Sequence, residues 1–345
     1  YALYRFVIEP PATMEQNYFD WRHLNESQRL QQWSQLRQRD QQCAFVLDQP
    51  ALHRLTIVHW DDAQFELLWS HHHIVLDGWS IQLVFRELMQ IYVALTQNQT
   101  IQLAKPIALQ GYYDWLSHRD KIAALSYWRD YLSNFDTPTG LLDGLASTAV
   151  EGYREIHWEL DAQISQQLRA LATEARVTLN SVVQWVWGYL LQRYSGDQEV
   201  MFGTVVSGRP ADVDGIDKMV GFFINTVPVK VSFAVKTPLK SQLQQLHSNQ
   251  LESQEYGFLT LTEIQQETSI SADFALFESL VVFENYPTGM SGPSGEQHTS
   301  GIIVEHSDTA EHSSMPLTLI VNDNRGIKLT LGYRQERFCV AVISC

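Results

Sequence analysis

Ser70-His71-His72-His73-Ile74-Val75-Leu76-Asp77-Gly78-Trp79-Ser80 is the stretch around which the rest of the chain can be read. Before it, Phe65-Glu66-Leu67-Leu68-Trp69 has the character of a strand. After it, Ile81, Leu83, Val84, Leu88, Met89, Tyr92 and Leu95 recur at the spacing of one helix face. Asp77-Gly78 is a turn dipeptide, and Ser80 is the natural N-cap for the helix that follows. The expected geometry is strand, tight turn, helix, which brings imidazoles to a strand end where a substrate can reach them. Strand alternation would place His71 and His73 on one face and His72 on the other, supporting the loop.

Moving outward, the pattern predicts strands over 3–8, 54–60, 65–71, 152–159, 199–206, 226–232, 277–284, 302–306, 316–322 and 327–333. Helices are predicted over 25–39, 80–97, 121–134, 161–175, 178–194 and 238–254. The two kinds alternate without a fixed repeat, so the fold class is α/β with mixed sheets. The stretch from Ser133 to Gly144 carries the Gly, Asp and Thr punctuation of a linker and divides the chain into 1–140, with the histidine motif, and 141–345. A second break over 287–301, rich in Gly, Ser and Pro, reads as a mobile loop.

Composition bounds the function. The 345 residues are 45% hydrophobic and include 10 Trp, 14 Tyr and 15 Phe, enough for a large core and two lobes. A formal charge of −15 argues against nucleic acid as a partner, because phosphate binding needs a basic surface. No apolar run approaches the length of a membrane span. The three cysteines, Cys43, Cys339 and Cys345, have no CxxC spacing, so neither a disulfide framework nor a cysteine zinc site is indicated and a reducing cytoplasm is the expected compartment. No Walker loop, GxGxxG or GxSxG occurs, which leaves ATP hydrolysis, dinucleotide binding and serine acyl-enzyme chemistry unsupported. Any energy for a synthetic reaction must then arrive preloaded in the substrate. His71, His73 and Asp77 are a conceivable metal set, but no HExxH or second His/Glu pair accompanies them, and no metal is expected.

The run His72-His73-x-x-x-Asp77-Gly78-Trp79-Ser80 resembles the core motif of nonribosomal peptide synthetase condensation domains, relatives of chloramphenicol acetyltransferase. It is joined in order by Tyr112-Tyr113-Asp114-Trp115-Leu116, Tyr127-Trp128, Gly203-Thr-Val-Val-Ser-Gly-Arg209-Pro210, Val220-Gly221-Phe-Phe-Ile-Asn225-Thr226-Val-Pro228 and Leu276-Phe277-Glu-Ser-Leu-Val-Val-Phe283-Glu284-Asn285-Tyr286-Pro287. The resemblance implies two chloramphenicol acetyltransferase-like lobes in a V, with the active site in a tunnel between them. It also implies amide formation: the amine of an acceptor aminoacyl-carrier attacks the thioester of a donor carrier. The phosphopantetheine arms belong to those upstream and downstream carrier domains, next to an adenylation domain, so no cofactor is bound by this domain itself. The wording of the later motifs resembles the subtype that joins an L donor to an L acceptor. Epimerisation, ester formation and a catalytically silent recruitment module are the alternatives, and heterocyclisation is disfavoured because that subtype has Asp where His72 stands. The family's first two motifs would precede Tyr1 and its domain usually continues past an end like Cys345, so the chain is expected to be truncated at both ends.

By the same resemblance His73 is the catalytic residue and His72 a support. Asp77 is expected to form a structural ion pair, with Arg209 as its best partner, and Gly78 to leave room for close backbone approach. Trp79, Ser80 and Asn285 are candidates to line the tunnel. An imidazole titrates near ~6.5 and an α-amino group near ~7.7–8.0, so roughly a tenth to a fifth of the amine is already a neutral nucleophile at neutral pH. His73 can therefore act as base, as a positioning group or as a donor to the oxyanion, and the sequence leaves these open. Asn225 is read as a turn or bridging residue, and Trp79, Phe222, Phe223, Tyr112, Tyr113, Trp115 and Trp128 as core.

Overall fold

The computed structural model describes residues 14–49, 52–140, 152–234, 236–284, 313, 315–324 and 326–338. In chain order the elements are β1 (Glu15–Asp20), α1 (Glu26–Gln42), β2 (His53–Asp61), β3 (Gln64–His71), α2 (Gly78–Thr96), α3 (Gln110–Ser117), α4 (Lys121–Tyr131), β4 (Tyr153–Glu159), α5 (Ala162–Ala175), α6 (Leu179–Ser195), β5 (Glu199–Val206), β6 (Asn225–Ser232), α7 (Leu239–Glu255), α8 (Leu261–Gln266), β7 (Ser279–Glu284), β8 (Leu317–Asn322) and β9 (Lys328–Arg334). The predicted strands over 3–8 and 302–306, the loop over 287–301 and Asn285 lie outside the described residues.

By their contacts the residues group into two compact units: Tyr1–Leu83 with Val220–Phe222, and Val84–Met219 with Phe223–Cys345. The first holds a three-stranded sheet, β1-β2-β3, with β1 parallel and β3 antiparallel to β2. Asn25 opens α1 with a capping box, its side chain accepting from the backbone N–H of Gln28 while the Gln28 side chain accepts from that of Asn25. The far end of α1 is tied to the sheet by Asp40. Its carboxylate accepts from Arg54 Nε (3.0 Å) on β2 and from the Ser70 hydroxyl on β3.

The second unit is built on a six-stranded mixed sheet in the order β4-β9-β8-β7-β5-β6. Its strand β5, between β7 and the edge strand β6, reads Glu-Val-Met-Phe-Gly-Thr-Val-Val and is buried on both faces, which is why it is a continuous apolar run rather than an alternating one. Val200 and Phe202 pack with Trp187 and Leu191 of α6 and Leu246 of α7. Met201, between them, packs with Ala124 and Trp128 of α4 and Ile264 of α8. A polar chain crosses the first of these layers with a fixed sense. Thr204 Oγ1 donates to the Val281 carbonyl, so it accepts from Gln184 Nε2. Gln184 Oε1 accepts from Gln250 Nε2, Gln250 Oε1 from the Ser181 hydroxyl, and Ser181 Oγ in turn from His247 Nδ1–H. Every partner in this layer is satisfied, as a buried polar network requires.

Candidate active site

Strand β3 ends at His71, and the tight turn is His73-Ile74-Val75 rather than Asp77-Gly78, with Val75 N–H donating to the His72 carbonyl (3.2 Å). Strand alternation therefore stops short of His73. The three imidazoles go three ways. On β3, His71 is half-buried against His53 (ring centroids 6.2 Å) and Trp69 (5.4 Å). Burial, then repulsion from the neighbouring imidazoles of His53, His73 and His72, pushes its pKa down to about 4, and burial alone lowers that of His53. His72 Nδ1 accepts from Ile74 N–H (3.1 Å), and its ring meets Phe45 edge-on, so it supports the loop from within. His73 is exposed, and its Nδ1 lies 2.7 Å from the Leu76 carbonyl. A carbonyl only accepts, so Nδ1 carries the proton. In the neutral ring the Nε2 lone pair is then the free one.

Asp77 is fully buried, and it, not Ser80, caps α2. Its Oδ1 accepts from Ser80 N–H (2.7 Å) and its carbonyl takes the first helical bond from Ile81. The expectation that Ser80 would be the cap is corrected by one turn: the helix starts at Gly78, so the acidic residue before it is the one placed to satisfy the N-terminal donors. Ser80, also fully buried, uses its hydroxyl on Gly221 instead, donating to the carbonyl (2.7 Å) and accepting from the N–H (3.0 Å). Asp77 N–H donates to the same carbonyl (3.2 Å). Gly78 and Trp79 form the first turn of α2, both half-buried.

The sequence reading of Phe222-Phe223 as core holds for one ring only. Phe223 is 5% exposed and packs with Val213, Ile216 and Met219. Phe222 is 46% exposed and meets the His73 ring at 5.4 Å, nearly perpendicular. Tyr112 and Trp115 belong to the Phe223 cluster and Trp128 is fully buried, but Tyr113 is 56% exposed, because α3 is a short helix that can bury only one of two adjacent tyrosines. Asn225 bridges as expected, donating from Nδ2 to the carbonyls of Gly257 (2.8 Å) and Leu259 (2.6 Å).

In the second unit, the loop Ser207-Gly208-Arg209 is specified by its glycine. Gly208 has φ +59°, and a Cβ there would sit 1.7 Å from the Phe223 carbonyl oxygen. The close approach delivers Arg209, whose Nη1 donates to the carbonyls of Ile216 (2.6 Å) and Met219 (2.9 Å) and whose guanidinium lies 4.1 Å over the Phe223 ring. Among the described residues no group of three His, Cys, Asp or Glu side chains is arranged to hold a metal ion, and no helix is long and apolar enough to cross a membrane.

Residues 4–345 match the family model for the condensation domain. The chain belongs to the condensation domain family. It is 36% identical over 332 residues to a linear gramicidin synthase of Brevibacillus parabrevis, covering 94% of this chain but 6% of that protein. Chondramide synthase cmdD of Chondromyces crocatus is 35% identical over 300 residues, covering 87% of this chain and 8% of that protein. The chain thus spans a small fraction of the curated relatives it matches. Among solved structures, a four-domain nonribosomal peptide synthetase bound to AMP and glycine superposes with a TM-score of 0.77 at 18% identity, over 97% of this chain and 26% of that one. The epimerization domain from the third module of tyrocidine synthetase B superposes with a TM-score of 0.70 at 16% identity, over 96% of this chain and 76% of that one. The mixed α/β fold read from the sequence, with the chloramphenicol acetyltransferase-like architecture of condensation domains, is therefore the fold of this chain.

Proposed function

We propose that this condensation domain forms peptide bonds in nonribosomal peptide synthesis, joining a donor aminoacyl- or peptidyl-carrier thioester to the amine of an acceptor aminoacyl-carrier, both of the L series. The observation that carries the reading is the His73 imidazole, whose Nδ1–H is committed to the Leu76 carbonyl so that Nε2 is left as an acceptor at the exposed end of the strand-turn-helix motif. The amine nitrogen bonds to the thioester carbonyl carbon and loses a proton. The adduct then collapses, the C–S bond breaks, and the carrier thiolate leaves and is protonated. A neutral Nε2 accepts a hydrogen bond from the attacking neutral amine, which aims the nitrogen lone pair at the carbonyl carbon, and Nε2 then takes the proton as positive charge develops on nitrogen. The thioester supplies the driving force. The phosphopantetheine arm is the carrier's own, and carriers and an adjacent adenylation domain are the partners, working in the cytoplasm.

Asp77 and Arg209 are proposed to form an ion pair. Asp77 is fully buried at the start of α2, and a carboxylate out of water needs such compensation. The fold is also that of an epimerization domain, so the assay must separate the two. With loaded donor and acceptor carriers, dipeptide formation is followed alongside exchange of the donor Cα–H in deuterated water. The wild type is expected to form the amide without exchange, and His73→Ala to lower the rate by at least ~10²-fold while leaving the fold intact. A His73→Ala protein that condenses at the wild-type rate refutes the assignment, and exchange without amide formation favours epimerisation.

A further inference from the structure

The Nδ1 bond to Leu76 holds the His73 ring at one atom only, and an exposed side chain so held can still swing about its χ angles on the picosecond to nanosecond scale. A second contact is needed to keep Nε2 aimed. We propose that Phe222 is a positioning residue for the His73 imidazole and that Ser80 acts through it.

Three observations carry this. Phe222 is 46% exposed, so burial of its ring does not account for its place, yet it meets His73 at 5.4 Å and 81°. Perpendicular contact of this kind is a favoured aromatic geometry and restrains the partner out of its own plane, the direction the Leu76 bond leaves open. The residue before Phe222 is fixed in turn: the Gly221 peptide takes the Ser80 hydroxyl and Asp77 N–H on its carbonyl and gives its N–H back to Ser80 Oγ. Ser80 lies one turn into the helix that Asp77 caps. The segment that seats Phe222 is thus locked to the same backbone that carries the histidine turn. Ser80, expected from the sequence to cap α2, is here a clamp.

The inference rests on the proposed role of His73, and its test has a readout that does not need turnover. In this chain labelled with ¹⁵N-histidine, the His73 resonances of the wild type should report the Nδ1–H tautomer. Phe222→Leu should shift them toward the mixture of a free imidazole, and Phe222→Tyr, which keeps the ring, should not. In the condensation assay Phe222→Leu should lower kcat about 3- to 10-fold, the range of one aromatic pair, with KM for both carriers unchanged. Ser80→Ala should act through the same contact, so that Ser80→Ala with Phe222→Leu is no worse than the poorer single variant. A Phe222→Leu protein with the wild-type tautomer signal overturns the inference whatever its kcat, and losses that multiply in the double variant overturn the link through Ser80. Should Ser80→Ala fail to fold, the exposed Phe222 remains the deciding position. If His73→Ala retains full rate, the proposed role of His73 in condensation fails, and the tautomer signal still judges the positioning.

Discussion

Acid should destabilise this protein through His71 before it titrates most carboxylates. His71 is neutral in the fold because burial and the imidazoles of His53, His73 and His72 hold its pKa at about 4, against 6.5 for the ordinary side chain. Between these values the unfolded chain takes up a proton that the folded chain refuses, so stability is full above pH 6.5 and falls as the pH drops toward 4. At about 1.4 kcal/mol per pH unit the interval corresponds to about 3 kcal/mol. For a half-buried ring, solvent screening leaves roughly 1–2 kcal/mol of that. His71→Phe keeps a ring against Trp69 and His53 but has no proton to bind. Urea unfolding of both proteins at pH 7.0 and pH 4.5 isolates the contribution of His71 and its coupling to the neighbouring imidazoles, since the groups that do not interact with it cancel in the difference. The stability of wild type relative to His71→Phe should fall by roughly 1–2 kcal/mol between the two pH values. Parallel pH profiles would show that His71 is protonated in the fold and that its packing against His53 and Trp69 does not exclude charge.

Two other outcomes follow from the second unit and its proposed partner. Gly208→Ala places a methyl 1.7 Å from the Phe223 carbonyl oxygen at φ +59°, and should cost about 3 kcal/mol or more. An unchanged melting temperature would mean the loop carrying Arg209 is not held against Phe223. For Asp77 and Arg209, alanine at either position should lower the melting temperature, and the double variant should lose less than the sum, with a coupling of about 1–3 kcal/mol. Strictly additive losses would show that the two side chains do not interact.

The elements legible in the sequence were those whose pattern is enforced by burial. β5 spans Glu199–Val206, as the apolar run predicts, and the bounds of α5, α6 and α7 fall within one residue of expectation, because Asp161 and Thr178 cap the first two and Gly196 ends the second. β1 was not legible. Its sequence Glu-Gln-Asn-Tyr-Phe-Asp has no apolar alternation, and it is a strand only because β2 offers a parallel partner. α3 and α8 span eight and six residues, too few turns for periodicity to register, although Thr260 and Glu263 carry a capping box that marks the second. Of the site, the strand-turn-helix arrangement was readable. That Asp77 rather than Ser80 caps α2 was not, since both residue types cap helices and only the register of the first turn decides between them. Nor was Phe222, because adjacent phenylalanines carry no sign of which one faces inward.

The lock between Ser80 and Gly221 joins residues 141 positions apart, and this sets a clock on biosynthesis. At about 5–20 residues per second, the ribosome delivers Gly221 roughly 7 to 30 s after Ser80. During that interval the histidine turn has been made but lacks the peptide that its hydroxyl and the Asp77 amide are placed to bind. The first unit cannot finish folding as a nascent N-terminal fragment, and two polar groups destined for a buried site stay in water until the later segment arrives. Any division of the gene between these two positions would separate the imidazole from the segment that completes its surroundings.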